Sequence, residues 1–237
     1  MLAQTKEKKI LVSLIASPQT RWKDEITKLS ALGINEIALF INSFSLEQRK
    51  EVYRLLSASN LKSIPYVHIS NDFEEGEIDY LVTTYGTSIL GLSLDNSSLA
   101  FIATMIKFTD LIAPENPENN KFVAMFTDEA LSRAGVTGVC LDVSTLEYSR
   151  LYSKKQYQLA LHVLDHHSLK ATQIGPVSEN WFRKTLHLKS RHLSTLADLH
   201  YIKNIPQAYL ADLLILDLTN SLEEQLEVKR YLELMLK

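Results

Sequence analysis

The chain reads as an α/β protein, a single TIM barrel of eight strand–helix units over residues 1–237. Three observations predict this. Apolar, β-rich runs alternate with helical stretches from one end of the chain to the other. The stretch Val136-Thr-Gly-Val-Cys-Leu-Asp-Val-Ser-Thr-Leu146 is largely apolar around a single acid, Asp142, as expected of a strand covered on both faces in a parallel sheet. No shift in composition, internal repeat or low-complexity tract marks a domain boundary or linker.

The first strand is Lys9–Ala16, and a helix over Thr20–Leu32 follows Pro18 and stops at Gly33. Ile34–Asn42 is the second strand. Ser45-Leu-Glu-Gln-Arg then opens a helix to about Ser59, with Ser45 and Gln48 spaced as a capping box. Ile64–Ser70 is the third strand, and a helix over Asp72–Tyr85 ends at Gly86. Ile89–Leu94 and Ser97–Phe108 form the fourth unit. The fifth is Asp110–Pro114 with a helix over Phe122–Arg133. The run containing Asp142 is the sixth strand, followed by helical Leu146–His166. Leu169–Val177 is the seventh strand, followed by a long polar connection, Ser178–Thr195, and a helix around Leu196–Asn204. Leu213–Leu218 and Leu222–Leu236 close the chain. An open doubly wound sheet is the competing arrangement. It usually carries a glycine-rich phosphate turn after its first strand, and here that turn is Ser17-Pro-Gln-Thr20.

A length of 237 residues with 46% hydrophobic and 22% charged residues suits a globular domain with a sizeable core. The formal net charge of −3 gives no electrostatic footprint for general nucleic-acid or membrane binding. The lone Cys140 excludes an internal disulfide and fits a reducing, cytoplasmic setting. Lys6-Glu-Lys-Lys9 followed by Ile10–Ala16 resembles a secretory signal, but its apolar run is short and starts the strand–helix rhythm, so it reads as a strand. No segment approaches the ~20 apolar residues of a membrane span.

In a parallel α/β fold, chemistry is assembled at the C-terminal ends of the strands. His68, Glu115, Asp142, Gln173 and Asp217 occupy or adjoin such positions on strands three, five, six, seven and eight, and side chains alternate so that each can face the axis. Three converging carboxylates require a shared cation. Oxygen ligands suit Mg²⁺ or Mn²⁺, and a histidine shifts the preference towards Mn²⁺ or Zn²⁺. Singly, each has a plainer reading: His68 as a hydrogen-bonded, half-buried residue, Glu115 and Asp142 as helix caps, and Asp217 as a loop acid before Asn220. The basic segment Arg183-Lys-Thr-Leu-His-Leu-Lys-Ser-Arg-His192 lies on the same side. Its Arg183, Lys184 and His187 suit a clamp for a substrate phosphate or carboxylate, and a solvated polar loop is the alternative. His166 and His167 end a helix, where an imidazole complements the carbonyl end. Trp22 and Trp181 read as packing residues.

The stretches ending in Ala113-Pro-Glu-Asn-Pro117 and Gly138-Val-Cys-Leu-Asp-Val-Ser144 resemble the fifth and sixth strands of xylose isomerase-like barrels. Leu216-Asp-Leu-Thr-Asn-Ser-Leu-Glu-Glu-Gln-Leu226 is similar to that superfamily's last strand and helix, and Val67-His68 to its third-strand histidine. The superfamily includes sugar isomerases and epimerases and the endonuclease IV type of abasic-site nuclease. The resemblance implies a divalent metal held by Glu, Asp, His and Glu from strands five to eight. Glu115 and Asp142 match the first two positions. Gln173 stands where the family has His, and Asp217 where it has Glu. Thr145 replaces a second family histidine, and Ser93 falls at a fourth-strand position often filled by His. Glutamine can still offer a carbonyl oxygen to a hard cation, with weaker binding. A zinc cluster of the nuclease kind lacks its histidines.

The leading expectation is therefore a metal-assisted isomerase or epimerase acting on a sugar or sugar phosphate, with Mn²⁺ or Mg²⁺ preferred to Zn²⁺. In the mechanism the family implies, Glu115 or Asp217 moves a proton next to a carbonyl while the metal stabilises the enediolate. Two alternatives stand beside it: a barrel that has lost its metal and serves as a binding or scaffold protein, and a metal-dependent phosphoester hydrolase using the basic segment.

Overall fold

The computed structural model describes residues 8–118, 120–177 and 191–236. Its strands are β1 (Lys9–Leu11), β2 (Ser13–Ile15), β3 (Glu36–Phe40), β4 (Ser63–Ile69), β5 (Ile89–Leu92), β6 (Ile112–Pro114), β7 (Gly138–Asp142), β8 (Ser168–Ile174) and β9 (Leu213–Leu216). All pairings are parallel, in two sheets ordered β1-β9-β8-β7 and β2-β3-β4-β5-β6. A single residue, Val12, separates β1 from β2, and its carbonyl accepts from the Ala38 N–H at 2.9 Å. One extended run thus serves both sheets. At their other ends, Glu115 and Cys140 form a parallel bridge between the residue after β6 and the middle of β7.

Strand side chains alternate between two apolar layers, as a sheet covered on both faces requires. Ile37, Leu39 and Ile41 belong to the large cluster, which also takes in helix residues such as Leu56, Leu81 and Leu232. Ala38 and Phe40 point the other way, into a smaller cluster with Leu11, Tyr66, Ala113, Cys140, Ala171 and Ile215. That inner cluster draws on strands of both sheets. Gly91 on β5 leaves room in it: a methyl added there would lie 1.9 Å from the Tyr66 hydroxyl oxygen.

The α-helices are α1 (Trp22–Lys28), α2 (Leu46–Ser57), α3 (Glu75–Tyr85), α4 (Ser98–Thr104), α5 (Asp128–Arg133), α6 (Val143–Tyr152), α7 (Lys154–His166) and α8 (Leu222–Met235). Gln48 accepts from the Ser45 N–H at 2.9 Å, and Glu224 from the Ser221 N–H at 2.9 Å, so both helices open on reciprocal caps. Gly86, with φ 66°, ends α3 in the left-handed conformation that favours glycine.

Helical boundaries differ from the sequence reading at several places: α1 is shorter than Thr20–Leu32, α3 starts at Glu75 rather than Asp72, and α4 stops at Thr104 before a 3₁₀ segment over Ile106–Phe108. The expected Leu146–His166 helix is two helices: α6 begins directly on its cap Asp142, and Ser153, at φ −145° and ψ 80°, separates it from α7. The expected Phe122–Arg133 helix is confined to α5, because Thr127 caps it by accepting from the Ala130 N–H. Leu196–Asn204 is a 3₁₀ segment rather than an α-helix. Among the described residues no helix is long and apolar enough to cross a membrane.

Candidate functional site

Polar side chains collect where β5 to β9 end. Glu115 follows β6 and is 8% exposed. Its Oε1 accepts from the Tyr66 hydroxyl at 2.8 Å, lies 3.0 Å from His68 Nε2, and also accepts from Gln173 Nε2. Its Oε2 accepts from the Ser93 hydroxyl at 3.3 Å, and that hydroxyl is 3.2 Å from His68 Nε2. Gln173 Nε2 also donates to the Tyr66 oxygen at 2.5 Å. Register explains the grouping: Phe40 pairs with His68 and His68 with Gly91, so the His68 ring stacks on Phe40 with centroids 5.3 Å apart. His68 Nδ1 is buried with no hydrogen-bond partner among the described residues.

Burial alone pushes the Glu115 carboxyl up, but the charge of His68 and hydrogen bonds from His68 and Tyr66 outweigh it, so the group lies below the usual glutamate range. Burial, reinforced by the adjacent Glu115 charge, pushes the Tyr66 hydroxyl and the Cys140 thiol well above their ordinary values. Both remain protonated. Tyr66 is therefore a fixed donor to Glu115, and Cys140 is an inert part of the interior.

Asp142 ends β7 and turns back to cap α6. Its Oδ1 accepts from the Ser144 N–H at 2.9 Å, the Ser144 hydroxyl at 2.6 Å and the Thr145 N–H at 3.1 Å. Its Oδ2 accepts from the Thr145 hydroxyl at 2.9 Å. Asn116 holds the Asp142 backbone from the β6 side, accepting from its N–H at 2.7 Å and donating to its carbonyl at 3.1 Å.

Asp217 follows β9, with its side chain 1% exposed, and Arg191 Nε lies 3.2 Å from its Oδ2. The Arg191 backbone is tied to the same loop. Its carbonyl accepts from the Thr219 N–H at 2.8 Å, while Asn220 brackets Leu193 with bonds of 2.7 and 3.0 Å. The charge of Asp217 holds the guanidinium above its ordinary value against the opposing effect of burial, with Glu115, Glu118 and Asp142 adding to it.

A cavity of about 210 Å³ opens among Ser93, Glu115, Phe122, Asp142, Gln173 and Arg191. On the other side of Arg191 a wider, more open cavity of about 1010 Å³ runs past Phe40, Asn42, Trp22 and Asn220. Of the residues singled out in the sequence, the structure brings Glu115, Asp142 and Gln173 into one cavity, joins Asp217 to it through Arg191, and places His68 behind Glu115. Arg183, Lys184 and His187 lie outside the described residues.

Of the four side chains implied as metal ligands, Glu115, Asp142 and Gln173 are engaged in hydrogen bonds and Asp217 in an ion pair. Gln173 turns its amide nitrogen, not its carbonyl, to Glu115. Both Asp142 oxygens accept from the first turn of α6. Asp217 faces a guanidinium. Among the described residues no three His, Cys, Asp or Glu side chains form a group able to hold a metal.

Sequence reasoning passed over three members of the site. Tyr66 lies within the third-strand run Ile64–Ser70, and its spacing of two from His68 puts both on one face. Asn116 sits between Glu115 and Pro117 with no pattern of its own to mark it. Arg191 is one cation among several in a polar connection without periodicity. No protein-family model matches the chain, and no curated protein matches it in sequence.

Proposed function

We propose that the two sheets close into one (β/α)₈ barrel of the xylose isomerase-like kind, and that the chain binds a small sugar or related polyol at the barrel's C-terminal mouth. Closure is supported by the shared run from Lys9 to Ile15, the Glu115–Cys140 bridge, and an inner apolar cluster drawn from both sheets. The observation that carries the ligand reading is the gathering of Glu115, Asp142, Gln173 and Arg191 around a cavity of about 210 Å³ at the strand ends. Carboxylate and amide oxygens accept from hydroxyl groups, guanidinium N–H groups donate to them, and Phe122 offers an apolar wall to a sugar face.

Proton transfer next to a carbonyl is the second reading, favoured by the 3.0 Å approach of His68 to Glu115. In it Glu115 takes the substrate proton, His68 and Tyr66 stabilise its charge changes, and Arg191 faces the developing oxyanion. The donors that hold Glu115 ionised also make it a weak base, so binding without turnover ranks first.

Calorimetric titration of the full chain in chelator, against aldoses, ketoses, polyols and their phosphates, tests the binding reading. One chemical class binding to the wild type, and at least about tenfold more weakly to Glu115→Gln, supports it. Failure of every class to bind refutes it. Deuterium uptake from heavy water at the carbon next to the ligand's carbonyl decides between binding alone and proton transfer.

A further inference from the structure

The mouth poses an electrostatic problem that its own carboxylates cannot solve. Glu115, Asp142 and Asp217 are 8%, 4% and 1% exposed, and buried charge is costly without compensation. Glu115 is served by neutral donors and His68, and Asp142 by the N-terminus of α6. Asp217 is met instead by a full guanidinium charge, 3.2 Å away. Arg191 is held at three points: its Nε at Asp217, its Cζ 5.8 Å from the centre of the Phe40 ring, and its backbone on the loop after β9. It also lines both cavities of the mouth.

We propose that Arg191 is, among the described residues, the resident cation of the site: it takes the place of a divalent ion among the strand-end carboxylates and makes the mouth metal-independent. The inference rests on the reading of this mouth as a ligand site, and it specifies that site's cofactor requirement. Two features of the residues support it. The planar fork of arginine can hold one carboxylate through Nε and still offer its Nη donors to the cavity, which a lysine cannot do in the same geometry. The departures from the expected ligand set also make sense together, because a glutamine that donates to Glu115 and a shortened acid that reaches a guanidinium both suit a site whose positive charge is supplied by the chain.

Thermal unfolding of the full chain, stripped with chelator and then titrated with Mn²⁺, Mg²⁺ or Zn²⁺, tests this without any sugar present. The wild-type Tm is expected to stay constant through each titration. Arg191→Met should lower Tm by about 5 °C or more, the scale of a broken half-buried ion pair in a domain of this length. Mn²⁺ should then recover part of that loss. Arg191→Met combined with Asp217→Asn should restore most of the Tm and abolish the Mn²⁺ response. A wild-type Tm that rises with Mn²⁺, or a double variant no more stable than Arg191→Met, overturns the proposal. If Arg191→Met does not fold, the wild-type titration and the double variant still decide it. A failed sugar panel with these results intact would remove the ligand reading and leave the cation assignment standing.

Discussion

At the scale of single residues, Glu115 has the most consequential environment. A buried carboxylate is tolerated only when its ionised form is well served, and donors from Tyr66, Gln173, Ser93 and His68 do this. Because the folded-state pKa is depressed, its contribution to stability is present above the unfolded value of about 4.3 and is lost as pH falls through the lower folded value. Glu115→Gln should therefore be less stable than the wild type at pH 7, and the gap should narrow as the pH drops below about 4.3. Urea unfolding at a series of pH values measures this, and parallel pH profiles for the two proteins would disprove it. How far the sequence foretells these residues depends on what each side chain can hide. An acid directly after an apolar run stands out, so Glu115, Asp142 and Asp217 are visible without coordinates. Tyr66 and Asn116 match their local backgrounds, and only the fold shows what they touch. Gln173 is legible as a site position but not in its role, because an amide carries both a donor and an acceptor and sequence does not say which faces the neighbour.

At the scale of elements, the helices on the β3 and β4 side are joined by Arg49, a fully buried side chain in the first turn of α2. It makes a two-pronged contact with Glu77 of α3 at 2.7 and 2.9 Å, pairs with Asp72 at 2.8 Å, and donates to the Phe44 carbonyl at 2.6 Å. Its guanidinium also lies 4.0 Å from the centre of the Phe73 ring. Tyr53 donates to Glu77 at 2.6 Å, so the carboxylate is enclosed by donors. Removing the cation leaves Glu77 buried with only the phenol. Arg49→Met should therefore cost about 3–5 kcal/mol, and adding Glu77→Gln should recover part of that loss. Denaturant unfolding of the single and double variants checks both, and additive losses would refute the coupling. Helix starts were more legible than helix continuity for a related reason. The caps at Ser45 and Ser221 and the stop at Gly86 are local chemistry. The break at Ser153 sits inside an unbroken helical pattern that carries no local stop signal. Arg49 itself reads as a surface charge on an amphipathic helix, since nothing nearby in sequence announces its partners.

At the scale of the whole molecule, alternating apolar and helical segments are enough to predict parallel strands with covered faces. How the sheet ends meet depends on contacts between distant residues. The seam between β6 and β7 carries the Glu115–Cys140 bridge, and beyond it a side chain continues the ladder: the Asn116 amide accepts from the Asp142 N–H and donates to its carbonyl. Asn116 is 5% exposed, so both bonds are sheltered from water. The same residue links this seam to the site, because it fixes the backbone of Asp142 beside Glu115, the carboxylate that ends the neighbouring strand. Asn116→Ala should cost about 1–3 kcal/mol by leaving the Asp142 N–H and carbonyl without that partner. It should also speed hydrogen exchange at the Asp142 amide far more than at amides between β3 and β4. If the ligand reading proposed above holds and this seam organises the site, the same variant should weaken sugar binding although it alters no atom of Glu115 or Arg191. Exchange that accelerates equally across both sheets would mean that Asn116 stabilises the fold in general and is no clasp of this seam.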